Sequence, residues 1–127
     1  MGYIVQHAII INGPVRGVEN MSDIDPNLGK CIGEVRNQVY RIADSYQFGS
    51  LVSALVPSIT NGEASFLVAP DGSKEGWKTS ETGDKMRDEI IAYLESLKYS
   101  DGGASFAYAE IQFDDDYGDQ KILRHSR

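Results

Sequence analysis

The sequence has very few of the residues that build disulfide, nucleophilic or histidine-based sites. Cys31 is the single cysteine, so an internal disulfide cannot form, and a reducing compartment is expected. His7 and His125 are the two histidines, and neither has a serine, aspartate or cysteine at a spacing that predicts a catalytic triad. His7 lies in an apolar segment, where a histidine packed in a sheet is expected rather than a general base. The sequence therefore does not predict a nucleophilic hydrolase.

Long apolar runs and an excess of basic residues are also missing. No segment approaches the roughly 20 apolar residues that a membrane helix needs, and the N-terminus lacks the basic start of a signal peptide. The chain is therefore expected to act in the cytoplasm, without membrane contact. Its 12 basic and 19 acidic side chains give a net charge of -7, which repels nucleic-acid phosphate. Nucleic acid is consequently not an expected partner.

The 127 residues, 41% of them hydrophobic, are enough for one folded domain. Residues 3–11 are rich in β-branched side chains and predict a central strand. Asp25 followed by Pro26 predicts the N-cap and first turn of a helix, whose apolar stripe continues at steps of three and four to Tyr46. Gly29 and Gly33 lie four residues apart in this helix, which indicates that another backbone passes close to it.

The second half of the chain is predicted to contain a hairpin, a helix and a last strand. Residues 51–59 and 64–69 predict two strands joined by a turn at Asn61 and Gly62, and Pro57 places the first strand at an edge or a bulge. A second helix is expected after an N-cap at Thr79 or Ser80, and a last strand over residues 104–113. In this strand two sets of side chains alternate between the faces: Ala107, Ala109, Ile111 and Phe113 on one, and Phe106, Tyr108, Glu110 and Gln112 on the other. The buried stripe of the second helix is predicted to consist of Met86, Ile90, Tyr93, Leu94 and Leu97.

The predicted order of elements is strand, helix, strand, strand, helix, strand. This order indicates an α+β fold of the ferredoxin-like split βαβ type, with an antiparallel sheet and both helices on one face. We expect a single domain over residues 1–113 and a C-terminal tail over residues 114–127. The tail joins an acidic patch to a basic end, in which Ile122 and Leu123 predict a fifth strand or a contact with a second subunit. A homo-oligomer formed through sheet edges or this tail is therefore expected.

The segment before the second helix carries the densest set of candidate binding residues. Two glycines, a cation and the single tryptophan precede a helix N-terminus, where free N–H groups and the helix dipole favour anions. Residues 72–79 (GSKEGWKT) are close to the P-loop motif, but Trp77 separates the glycine from the lysine that the motif requires to be adjacent. The alternative is a purely structural connection in which Trp77 closes the core. The predicted ligand- or partner-binding residues are Asp71, Gly72, Ser73, Lys74, Trp77, Ser80 and Arg87.

Acidic residues at the end of the last strand are a second candidate site. Asp114, Asp116 and Asp119 offer the hard oxygen ligands that suit Mg²⁺, Mn²⁺ or Ca²⁺, although a solvated patch is the simpler interpretation. If they hold an ion, the chain is a small metal-dependent phosphoester hydrolase. Otherwise no cofactor is expected. A calcium loop beginning at Asp23 is disfavoured, because Leu28 stands where such a loop needs glycine.

Three segments resemble small uncharacterised proteins of bacteriophages and prophages: residues 7–9 (HAI), residues 70–77 (PDGSKEGW) and residues 80–87, with the pattern SxxGDxxR. The resemblance covers about a third of the chain and implies an accessory role in a host cell, anti-defence roles included. Small phage proteins without an enzyme signature often bind a host protein or sequester a signalling nucleotide. We therefore expect a non-catalytic binding protein for an anionic small molecule or a host protein. The charge of -7 leaves open an acidic inhibitor that occupies a basic nucleic-acid site.

Overall fold

The protein folds as a five-stranded antiparallel sheet with two helices, an α+β arrangement. The computed structural model describes residues 4–17, 29–74, 76–99, 102–114 and 120–126. The strands lie in the spatial order β2-β3-β1-β4-β5, so β1 is flanked on both sides. In chain order the elements are β1 (Val5–Pro14), α1 (Ile32–Ser45), β2 (Val56–Pro57), β3 (Glu63–Val68), α2 (Lys78–Ser96), β4 (Ala107–Asp114) and β5 (Lys121–His125).

Strand β1 runs three residues further than its sequence predicts, through Asn12 and Gly13 to Pro14. The extension is held because these residues pair with the start of β3, and the Ser65 hydroxyl donates to the Asn12 side-chain oxygen over 2.7 Å. Gly13 is needed for space, since a Cβ there would lie 2.3 Å from the Phe106 ring. Tertiary pairing thus overrides the local strand-breaking signal.

The predicted hairpin is confirmed at its turn and wrong in its first strand. Asn61 and Gly62 both have positive φ, as a tight hairpin turn requires, and β3 follows directly. Of the predicted residues 51–59, the first strand contains only Val56 and Pro57. Val52 adds an isolated bridge to β3, and beside it the Leu67 N–H donates to the Ser53 hydroxyl rather than to a backbone carbonyl. Pro57 lies at the sheet edge, where its missing N–H costs no ladder bond.

Both helices begin at residues other than those predicted. Helix α1 begins at Ile32 after an N-cap at Cys31, so the predicted helical conformation is wrong at residues 30 and 31, and Gly29 is in 3₁₀ conformation. The predicted N-cap Asp25 and Pro26 lie outside the described residues. Helix α2 begins at Lys78 after Trp77, so the predicted N-cap at Thr79 or Ser80 is wrong as well. Neither of the two helices in the described part of the chain combines the length and apolar content that crossing a bilayer requires.

The two helices share one core with the same face of the sheet. Ile9 and Ile11 of β1, Phe66 of β3 and Tyr108 of β4 point into it. The alternation along β4 is as predicted, and its aromatic side faces the helices. Four residues of the predicted α2 stripe are buried, and Tyr93 is partly buried against the core. The side chains with under 2% exposure are Phe66, Ile9, Ile11, Ile32, Met86, Ile90, Val35, Val39 and Val68.

Candidate functional site

The loop before α2 is folded around the carboxylate of Asp71. The backbone N–H of Ser73 donates to Asp71 Oδ1 over 2.8 Å, and the Ser73 hydroxyl donates to the same oxygen over 2.6 Å. This is the short-range bonding by which aspartate stabilises turns. Gly72 between them has φ of 77°, a conformation that glycine adopts without strain. Local sequence therefore determines the shape of this turn.

Arg87 joins that turn to the second helix of the fold. Its Nη1 donates to Asp71 Oδ2 over 3.4 Å, and its Nη2 donates to Asp84 Oδ1 over 2.6 Å. The Arg87 side chain is 3% exposed and that of Asp71 9%, so the pair is buried. Gly83 makes room for it, because a Cβ there would lie 2.1 Å from Asp71 Oδ2. We name the set Asp71, Ser73, Gly83, Asp84 and Arg87 the loop clasp.

The protonation of Asp71 reflects this environment. Burial by itself would raise the pKa of its carboxyl. The hydrogen bonds from Ser73 and the charge and hydrogen bond of Arg87 act in the opposite direction and outweigh burial, so the pKa lies below its ordinary value. Asp71 is thus held as a carboxylate that matches the Arg87 guanidinium.

Lys74 and Trp77 lie on the surface beside the loop clasp. Trp77 is 52% exposed, and the Lys74 ammonium lies 5.6 Å from the centroid of its ring, within the range of a cation–π contact. The Lys74 backbone forms an isolated antiparallel bridge with Ile4, next to the start of β1. Trp77 is the N-cap of α2 with extended backbone, and its indole can donate but not accept a hydrogen bond. The N–H groups of Ser80 and Glu81 donate to the Trp77 carbonyl, and Lys78 and Thr79 precede them at the start of the helix.

The seven predicted site residues fall into two groups. Asp71, Ser73 and Arg87 belong to the loop clasp, and their polar groups bond one another. Ser80 lies buried in the first turn of α2, at 5% exposure. Lys74 and Trp77 lie on the surface beside Gly72. The prediction that these seven residues form a binding site did not separate the buried ones from the exposed Trp77 and the half-buried Lys74.

A hollow of about 320 Å³ lies between α2 and β5, next to the loop clasp. Arg124 crosses it, donating from Nε and Nη2 to the two Glu110 oxygens over 2.5 and 3.0 Å and from Nη1 to Asp88 over 2.9 Å. Both guanidiniums of the hollow are thus already paired with carboxylates. Its lining carries three acidic and two basic side chains: Asp84, Arg87, Asp88, Glu110, Leu123 and Arg124. This composition disfavours an anionic ligand in the hollow.

Sequence reasoning missed the partners that the fold supplies. Gly83 and Arg124 were not among the predicted site residues. The ion pair between Asp84 and Arg87 could have been predicted, because residues three apart on a helix are neighbours. The pairing of Arg124 with Glu110 depends on a register shift between Glu110 and Ile111 opposite β5. No local pattern announces that shift.

Two of the three predicted metal ligands lie outside the described residues. Asp114 ends β4, whereas Asp116 and Asp119 lie outside the described residues. Within the described ranges, no group of three His, Cys, Asp or Glu side chains is placed to hold an ion. The metal site therefore stays a prediction. Comparison of the chain with protein-family models, with curated proteins and with solved structures finds no match.

Proposed function

We propose that this chain is a non-catalytic binding protein, a phage or prophage accessory protein of the host cytoplasm, which binds a host protein through Trp77 and Lys74. The observation that carries the proposal is the half-exposed Trp77 with the Lys74 ammonium over its ring. Tryptophan is the residue type most enriched among interface side chains that dominate binding energy. A large aromatic side chain left half in solvent at the start of a helix is available to such a contact.

The loop clasp supports this role because it fixes the surface that Trp77 presents. The buried ion pair between Asp71 and Arg87 ties the loop that carries Lys74 to helix α2. A preformed loop loses less conformational entropy when a partner binds. Lys74 adds a positive group on a chain of net charge -7, which favours a partner with an acidic group beside its apolar contact.

A protein partner fits this geometry better than a small anion does. Small-molecule sites enclose most of the ligand surface, whereas Trp77 is half exposed with the half-buried Lys74 beside it. The neighbouring hollow carries more acidic than basic side chains. An anionic small molecule would have to rely on Lys74 and the first N–H groups of α2.

The test uses affinity capture from a bacterial lysate with four forms of the protein: wild type, Trp77→Ala, Lys74→Glu and the control Ile59→Ala. Ile59 is fully exposed in the β2–β3 turn, so its truncation removes exposed apolar surface elsewhere. A partner kept by wild type and the control and lost by Trp77→Ala is expected, with affinity weakened about 30-fold or more, since truncating a dominant side chain costs about 2 kcal/mol or more. Proteins retained equally by wild type and Trp77→Ala would contradict the proposal.

Trp77 is the single tryptophan, so its fluorescence tests the small-ligand alternative directly. Titration with inorganic phosphate and with nucleoside phosphates is expected to leave the emission of the purified protein unchanged. A saturable change that Lys74→Glu abolishes and the exposed control Lys85→Glu keeps would replace the protein partner with an anionic small molecule.

We also propose that the first four strands and the two helices are a ferredoxin-like split βαβ sandwich, to which β5 is added at one edge. The proposal is supported by the order β2-β3-β1-β4, in which each helix-containing connection passes over one strand. An experimentally determined structure in which β3 does not lie between β1 and β2 would contradict it.

A further inference from the structure

The sheet face that carries no helix is apolar. In β1 and β3, residues alternate between the buried side and this side, and the register aligns Ile10 of β1 with Leu67 on one flank and Ala109 on the other. We name as the open face the strand residues that share this side. Its middle consists of Ala8, Ile10, Leu67, Ala109 and Ile111, and its one carboxylate among the strand residues is Glu63, at the end of β3 beside Pro14.

This composition differs from that of an ordinary solvent-facing sheet. Antiparallel sheets with one wet face normally alternate apolar side chains inward with polar ones outward. Here Ile10 is 43% exposed, Val56 65% and Ile122 61%, on three different strands. Contiguous apolar surface of this kind marks an interaction site.

The relief of the open face suits a copy of itself. Ile10 stands between two shallow hollows of about 280 and 220 Å³. The first is lined by the small side chains Ala107 and Ala109, and the second by Ser65 and Leu67. In a two-fold symmetric contact, each surface must carry both the projecting group and the recess that receives it. A central isoleucine beside two recesses meets that requirement.

Charge and size point to the same occupant. Two chains of net charge -7 repel each other, and this face lets them meet around Ile10 with its single strand carboxylate, Glu63, four residues away at the end of β3. The five strands together hold 31 residues, which at about 3.3 Å per residue and about 4.8 Å between strands cover roughly 500 Å² on each copy. Two such faces bury roughly 1,000 Å², about the least that a specific interface needs. Stacked sheets pack in this way at a spacing of about 10 Å.

We infer that the open face docks a second copy of this chain, sheet against sheet, with Ile10 of each copy in the partner's recess. The contact does not use Trp77 or Lys74, so it goes beyond the proposed binding function, and either can fail while the other holds. It also differs from an oligomer formed through the sheet edges.

Sedimentation equilibrium at micromolar concentration tests the inference on the full chain. Wild type is expected to have the mass of two chains, and Ile10→Lys and Ala109→Glu the mass of one, with unchanged circular dichroism. The matched control Ile59→Lys, which places the same charge on a fully exposed turn, is expected to remain dimeric. Added salt is expected to strengthen the dimer, because it screens the repulsion between acidic chains.

Three outcomes would overturn the inference. The first is a wild type of single-chain mass. The second is a dimer that persists in both Ile10→Lys and Ala109→Glu. The third is a dimer that survives Ile10→Lys but is lost in Leu123→Pro, which would place the second copy on the β5 edge instead. If Ile10→Lys alone fails to fold, Ala109→Glu decides between one chain and two.

Discussion

The two helices of this protein begin in different ways, although neither N-cap residue is one of the side chains that usually occupy that position. Helix α1 follows Cys31, with Ile32 packed into the core and the backbone of Gly29 against Gly17. Helix α2 follows Trp77, and the loop before it is held by the Asp71–Arg87 ion pair. One start is therefore fixed by apolar and backbone packing, and the other by buried charge.

The difference shows what each start is free to do. Because the first turn of α1 contributes Ile32 to the core, its stability depends on burying that side chain. The N-cap residue of α2, Trp77, is not needed for the core, because the loop clasp already holds the loop to the helix. Trp77 can therefore remain half exposed, which is the condition for the proposed partner site.

Arg87→Ala is expected to break the α2 start most severely. It leaves the Asp71 carboxylate, 9% exposed, without its guanidinium. Removing one partner of a buried ion pair costs about 3–5 kcal/mol, and the long 3.4 Å contact favours the lower end. Urea unfolding measures the loss. The exposed control Lys85→Ala is expected to change the free energy of unfolding by less than about 0.5 kcal/mol. An equal loss in both variants would show that the Asp71–Arg87 ion pair does not stabilise the fold.

Alanine in place of one glycine in each helix sharpens the comparison, because the two changes are expected to have opposite signs. Gly83→Ala puts a Cβ 2.1 Å from Asp71 Oδ2 and should destabilise by about 1–3 kcal/mol. Gly33→Ala meets nothing nearer than 3.8 Å and should stabilise by up to about 1 kcal/mol through helix propensity. Thermal unfolding of the two variants compares them directly. Equal effects would mean that the Gly83 contact does not constrain the loop clasp.

Ser73→Ala tests the turn without disturbing the ion pair. It removes the hydroxyl that donates to Asp71 Oδ1 but keeps the backbone N–H bond to the same oxygen. The expected loss is about 1 kcal/mol, and somewhat more because the acceptor is charged. Urea unfolding is the measurement, with the exposed Ser50→Ala as control. A loss as large as that of Arg87→Ala would show that the turn at Asp71 and Ser73 stabilises the loop clasp as much as the ion pair does.

Acidification gives the smallest expected effect and isolates Asp71. Its folded pKa lies below the ordinary value of 3.8, so the stability that it contributes is complete above that value and is lost as the pH falls through the folded pKa. Wild type should therefore lose more stability than Asp71→Asn between the ordinary and the folded pKa. Urea unfolding as a function of pH measures the difference. Parallel curves would show that Asp71 has the same pKa in the folded and unfolded chains.

The elements that followed from the sequence are those with strong periodicity. The apolar steps of α1 beyond Ile32, the stripe of α2 and the alternation of β4 are local properties of the chain, and all three appear in the structure. The turn at Asn61 and Gly62 was also predictable, because positive φ restricts the residues that can occupy it. The first strand of the hairpin was not, because the Leu67 N–H bonds the Ser53 hydroxyl instead of a backbone carbonyl, which interrupts the ladder with β3.

The candidate site divides along the same line. The Asp71–Gly72–Ser73 turn was readable from residue types alone, and so was the presence of a cation and an aromatic before α2. The burial of Arg87 was not, because its partner Asp71 is 16 residues away and the space for the pair depends on Gly83. Arg124 and Glu110 meet only through the register of β5 against β4.

The sequence by itself determined the composition limits, the periodic elements and the tight turns, since each depends on neighbouring residues. Only the tertiary structure decided which side of β4 faces the helices, where each helix begins and which charges are buried. These outcomes depend on contacts between residues far apart in the chain, and the free energy of such contacts exceeds the local preferences of the residues that make them.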